Sequence, residues 1–215
     1  MIVSSRFVRT FLVAAISATV MSACAPLVIG GAASGVLAVT DRRTSGAQLE
    51  DQMIELKLTT KINQAFGDRA HINVTSYNRT VLLTGEVPAE ADKAKVSQLA
   101  SEVENVNKTL NELVVGLPSS LTQRGNDVVI TTKVKARLLD VPGIDGLAAK
   151  VVTERGTVYL MGMLTPREID AITNAVRTVS GVQKVVRAFE NITEEDLKRM
   201  QPRPPVSSAT PTAKP

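Results

Sequence analysis

One helical hydrophobic stripe occurs twice along the chain. Ile130, Val134 and Leu138 recur at i, i+4 and i+8, one stripe of an amphipathic helix. Ile54, Leu58 and Ile62 repeat that stripe at an offset of 76. After each helix comes a pair of segments rich in β-branched residues, the pattern of half-buried strands. In the second copy these are "AKVVTE" and "TVYLMG", joined by Arg155-Gly156, a dipeptide suited to a hairpin turn. In the first copy Asn78-Arg79 stands at the turn, and the missing glycine predicts a different turn there. Pro166 opens a second helix over about 166–179, as proline does in a first helical turn. Its counterpart, about 89–103, follows Pro88. "VNKTLNELVV" and "VQKVVRAFENI" supply a last strand each. Asp51 and Asp127 precede the helical stripes and are expected to be N-caps.

The two copies align closely. "RAHINVTSYNRTVLLTGEV" parallels "GLAAKVVTERGTVYLMGML", with Val81, Leu83 and Gly85 matching Val158, Leu160 and Gly162 at an offset of 77. The predicted fold class is α+β, two tandem units of order α-β-β-α-β, over residues 49–115 and 125–192.

The ends read differently. Arg6 and Arg9 precede an apolar run from Phe11 to Val20, and Ser22-Ala23 precede Cys24. This is the layout of a secretory signal over residues 1–23; the run is shorter than the roughly 20 residues a bilayer span needs. "MSAC" is similar to a lipobox, which makes Cys24 the lipidation site, and Ala25 after it resembles an outer-membrane signal. Residues 24–48 read as a lipidated small-residue linker. Residues 193–215, rich in Pro, Ser and Thr, read as a disordered tail.

Composition narrows the function. The formal charge is +4 over the whole chain, and loss of Arg6 and Arg9 with the signal leaves it near neutral. With 3% aromatic residues and no Trp, nucleic-acid binding is not expected. One cysteine excludes an internal disulfide. One histidine, His71, and one lipidated cysteine do not make a zinc site, and its repeat partner is Ala148. No catalytic residue, metal ligand or cofactor is expected apart from the covalent lipid on Cys24.

"GTVYLMG", "VSGVQKVVRAFENI", "INVTSYNRTVLLTG" and "NDVVITTKV" resemble the BON domain, and two copies after a lipoprotein signal resemble the dual BON-domain outer-membrane lipoproteins. The resemblance implies a three-stranded mixed sheet with two helices on one face of each unit. It also implies a periplasmic, non-enzymatic role in envelope integrity through anionic phospholipid.

The first helices can be compared face by face. With Ile130, Val134 and Leu138 inward, Val128, Val129, Thr132, Ala136 and Leu139 point outward, flanked by Lys133 and Lys135. Valine and leucine beside lysines suit an interfacial helix on anionic headgroups. The equivalent face of the first unit, with Gln52, Met53, Leu56, Thr60 and Asn63 beside Lys57, is more polar. The expected partner is therefore an anionic phospholipid membrane, met by the second unit. Two other readings are that this face packs against the first unit, or that the protein is an envelope scaffold whose partner is another envelope protein.

Overall fold

The computed structural model describes residues 41–200; the signal, Cys24, most of the linker and the end of the tail lie outside the described residues. The first unit runs α1 (Ser45–Phe66), β1 (His71–Tyr77), β2 (Thr80–Val87), α2 (Glu90–Ser101), β3 (Lys108–Asn111) and β4 (Val114–Val115). The second runs α3 (Leu121–Leu139), β5 (Lys150–Glu154), β6 (Thr157–Leu164), α4 (Pro166–Arg177) and β7 (Lys184–Asn191), followed by α5 (Glu194–Met200).

Each unit has the same sheet. β1 and β2 form an antiparallel hairpin with His71 opposite Glu86 and Tyr77 opposite Thr80. β3 and β4 then pair parallel to β2. They form one strand interrupted at Glu112-Leu113, where Leu113 is buried in the core. In the second unit β5-β6 is antiparallel and β6-β7 parallel without a break. The fold is α+β, two tandem units, each a mixed sheet with two helices on one face. Alternation along the central strands sends one set of side chains to the helices. Val81, Leu83 and Val87 meet Ile54, Leu58, Ile62 and Val96. Val158, Leu160 and Leu164 meet Val134, Leu138, Ile172 and Val176.

The opposite faces of the two sheets cover each other. Tyr77 and Leu82 pack against Tyr159 and Met161, with Leu110, Val152, Met163, Val186 and Ala188 around them. A polar rim surrounds this apolar centre. Lys150 donates to Glu55 and to the Ser76 carbonyl, both at 3.1 Å. Asn78 donates to Glu190 at 2.6 Å, and Asn73 to Glu154 at 2.7 Å. The segment before α1 closes the rim. Arg42 grips Glu168 of the second unit with two bonds of 2.7 and 2.8 Å and reaches the Met163 carbonyl. Arg43 stays with the first unit, bonded to Asp51 and stacked 4.2 Å over the Tyr77 ring.

Four expectations are corrected. Asp51 and Asp127 are not helix caps. Thr44 and Ser120 cap the helices several residues earlier, each accepting a bond from a backbone N–H of the first turn, so the helix expected from 127 begins at Leu121 and the linker expected to reach 48 ends before Ser45. Both aspartates lie inside their helices, buried, and bind the hairpin turn. Asp51 accepts from the N–H groups of Asn78 (2.7 Å) and Arg79 (2.8 Å) and from the Ser76 hydroxyl (2.6 Å). Asp127 accepts from the N–H groups of Arg155 (2.9 Å) and Gly156 (2.8 Å). The two turns are also alike, despite Arg79. Asn78 and Arg79 have φ of 48° and 63°, and Arg155 and Gly156 have 51° and 70°. Two left-handed residues make the primed turn that matches strand twist; the Asp51 bonds hold Arg79 in a conformation that glycine adopts without cost. Finally, the tail begins as α5, capped by Thr193 and anchored by buried Leu197.

The repeat glycine Gly85 has its own reason. A Cβ there would lie 2.0 Å from the His71 carbonyl oxygen, so any side chain would force β1 away.

Asp51→Ala strands two backbone N–H groups and the Ser76 hydroxyl and removes one of the two carboxylates that hold Arg43, which keeps Asp41. It is expected to destabilise by about 3 kcal/mol or more, against about 2 kcal/mol for Asp127→Ala, which strands two N–H groups. Arg79→Gly removes left-handed strain and loses only an exposed contact to Glu50; it is expected to stabilise by about 1 kcal/mol. Urea denaturation of the three variants checks both the order and the sign.

Candidate functional site

The candidate surface is the outer face of α3. Val134 and Leu138 are buried and Ile130 half-buried, which fixes the helix rotation. Val128, Val129, Thr132, Lys133, Lys135, Ala136 and Leu139 are all exposed. Val128 is 65% exposed, Val129 52% and Leu139 62%. The earlier helix start adds a residue that the sequence stripe missed. Leu121 lies two turns before Val128 on the same side and is 84% exposed. The signal for it was the pair Ser120…Gln123, a capping box. Since the sheets form the contact between the units, the α3 face is not covered by the first unit among the described residues.

Beside this face lies an open groove of about 520 Å³, between α3, the β5-β6 turn and the turn before β7. Val129, Lys133, Asn126, Arg155 and Gln183 line it. Among the described residues the paired lysines are Lys57, Lys61, Lys93 and Lys150, and Lys133 and Lys135 hold no carboxylate. Two unpaired cations beside exposed aliphatic carbon offer a surface for an anionic, amphipathic ligand.

The equivalent face of α1 exposes Leu49, Met53 and Leu56. Its flanking cations are engaged, Lys57 with Glu104 at 3.1 Å and Lys61 with Glu102 at 3.3 Å. The second-unit acid positions that would match are Ser180 and Thr178, so the α3 lysines lack those partners by sequence. Among the described residues no helix is long and apolar enough to cross a membrane.

A second polar cluster sits at one end of the contact between the sheets. His71 Nδ1 lies 3.1 Å from Glu86 Oε2. The Ser119 N–H donates to the same carboxylate at 3.0 Å, and Arg155 approaches it at 3.4 Å. Glu154, held by Asn73, completes the group. Burial, joined by the charges of Glu86 and Asp127, holds Glu154 above the ordinary carboxylate value, against the pull of Asn73 and His71. Counting His and Cys could not find this cluster. The signal was Glu86, four residues after Leu82 in an alternating strand, which places a carboxylate on an apolar sheet face.

BON domain sequences match residues 51–116 and 126–191. The chain is 34% identical over 172 residues to "Outer membrane lipoprotein DolP" of Haemophilus influenzae, covering 79% of this chain and 89% of that one. The chain belongs to the dual BON-domain lipoprotein family. A "21 kDa hemolysin" of Actinobacillus pleuropneumoniae is 32% identical over 154 residues, 71% of this chain and 79% of that one. The second BON match, residues 126–191, is the one that includes the exposed α3 face. Among solved structures, CdsD, a structural protein of the Type III secretion system of Chlamydia trachomatis, aligns over 70% of this chain and 98% of its own at 11% identity and a TM-score of 0.29, too distant to bear on the arrangement.

The Arg42–Glu168 grip is testable by pH. Burial raises the Glu168 carboxyl, but the bonds from Arg42 and the Thr165 N–H outweigh it and hold the group below its ordinary 4.5. A depressed carboxylate contributes stability that is present above the unfolded value and lost as pH falls through the folded one. Stability is therefore expected to hold above about pH 6 and to fall below about pH 4.5, less steeply in Glu168→Gln. At neutral pH, Arg42→Ala leaves a buried carboxylate unpaired and is expected to cost about 3 kcal/mol. Denaturation midpoints from pH 3 to 7 check both.

Proposed function

We propose that this protein is a lipid-anchored, non-enzymatic outer-membrane lipoprotein that binds anionic phospholipid through the α3 face of its second BON domain. Cys24 carries the anchor, the domains lie on the periplasmic side, and the result is support of envelope integrity. The observation that carries this reading is the uncovered row of Leu121, Val128, Val129 and Leu139 beside the unpaired Lys133 and Lys135. Its apolar groups would enter the acyl boundary while the lysines meet headgroups, each cation contributing about 1 kcal/mol at an anionic surface. The relative named as an outer membrane lipoprotein supports the location. The near-neutral charge and the absence of Trp fit a modest affinity that acts together with an anchor rather than alone.

A second reading rests on α1. Its exposed Leu49, Met53 and Leu56 lie beside lysines already neutralised by Glu102 and Glu104. That surface fits a protein partner better than an anionic membrane, as expected of an envelope scaffold.

Vesicle flotation of the unlipidated chain separates the two. Binding to phosphatidylglycerol or cardiolipin vesicles, but not to phosphatidylcholine, is expected, with loss of at least tenfold in Lys133→Glu/Lys135→Glu. Unchanged flotation of that double variant would remove the α3 face from the account.

A further inference from the structure

The cluster between the two sheets has the composition of a divalent-cation site. His71 and Glu86 come from the first domain and Glu154 from the second. One potential ligand atom from each lies within 4.8 Å of the other two, and His71 Nδ1 is already 3.1 Å from Glu86 Oε2. Neighbouring ligands around a tetrahedral zinc with ordinary bond lengths are about 3.3 Å apart, so a small rotation of the Glu154 side chain closes the set. One imidazole and two carboxylates favour zinc over calcium or magnesium, which prefer oxygen alone.

Two further observations point to a cation. The first is charge. Glu86 is fully buried and Glu154 nearly so, yet the full positive charge beside them is Arg155, at 3.4 Å with a side chain 48% exposed. Buried carboxylates need closer compensation than that. The second is an orphaned group. Thr84, between Leu82 and Glu86 on the same face of β2, is buried and its hydroxyl has no partner. It is the register partner of Asn73, whose amide holds Glu154. A zinc with three protein ligands keeps a water, and a water needs polar neighbours of this kind. The outer contacts of a ligating set are present as well: Asn73 on Glu154, and the Ser119 N–H on Glu86. The His71 side chain, 17% exposed, leaves an entry path.

We propose that His71, Glu86 and Glu154 bind a zinc ion that fastens the first BON domain to the second. The metal joins residues 83 positions apart in the chain (71 to 154), so its binding energy opposes separation of the sheets. Arg155 turns outward to the groove it already borders when zinc neutralises Glu86.

The test is titration of the full mature chain, stripped with a chelator, with zinc chloride under calorimetry, alongside melting curves. One zinc per chain is expected, with a melting temperature that rises with zinc concentration. Calcium at the same concentration is expected to leave both unchanged. Glu154→Gln, nearly isosteric, is expected to weaken zinc at least tenfold and to abolish the shift, while melting in chelator no lower than the wild type. His71→Gln is expected to weaken zinc likewise; if that variant does not fold, Glu154→Gln decides. Absence of saturable zinc binding, or equal affinity in Glu154→Gln, overturns the site and leaves the cluster as an ion pair between the domains.

Discussion

Each BON unit has one sheet face covered by its own helices and a second face that must be covered by something else. Here the second faces cover each other through Tyr77, Leu82, Tyr159 and Met161. Fully burying a side chain such as Leu82 or Met161 contributes about 1.5–3 kcal/mol, and burial pushes both tyrosine phenols up to about 12, so they stay neutral. This pairing consumes the sheet surfaces that would otherwise be available to partners. It leaves the outer faces of α1 and α3 among the exposed apolar surfaces of the described residues, and the candidate lipid face lies on one of these helices. The polar rim then gives the apolar contact a single register. Lys150, Asn73, Asn78 and Arg42 each bridge to the other domain at one defined place.

Arg42 ties the segment before α1 to the second domain. It lies in the last residues before α1, yet its guanidinium is buried against Glu168 of the second domain. Its neighbour Arg43 is held by Asp51 and Tyr77 of the first. The chain therefore enters the folded body at the contact between the domains, gripped on both sides. Asp51 is central to both arrangements, because the same carboxylate that takes Arg43 also holds the β1-β2 turn.

Much of this was legible in the repeat. The helical stripes at Ile54/Leu58/Ile62 and Ile130/Val134/Leu138 gave the rotation of α1 and α3, and with it the exposure of Val128, Val129, Lys133, Lys135 and Leu139. The element order α-β-β-α-β followed from Pro166, the β-branched runs and the matched glycines, and the mixed sheet from the family resemblance. What was not legible had physical causes. A carboxylate before an apolar stripe looks the same as a cap, and only the fold reveals that Asp51 and Asp127 sit across from a hairpin turn. Arg79 argued against a left-handed turn because propensity is local, whereas the Asp51 bonds that hold it come from 28 residues away. The Glu86–Glu154–His71 cluster spans two domains, and no spacing rule in either copy brings those residues together.

The central claim is that the sheets hold the two domains in one fixed orientation, which determines the surfaces left exposed. Residual dipolar couplings of backbone N–H groups in weakly aligned protein test it directly. A single alignment tensor is predicted to fit β1, β2, β5 and β6 together, with the interdomain orientation of the structure. Two tensors of different magnitude, one for each domain, would show independent tumbling and contradict it.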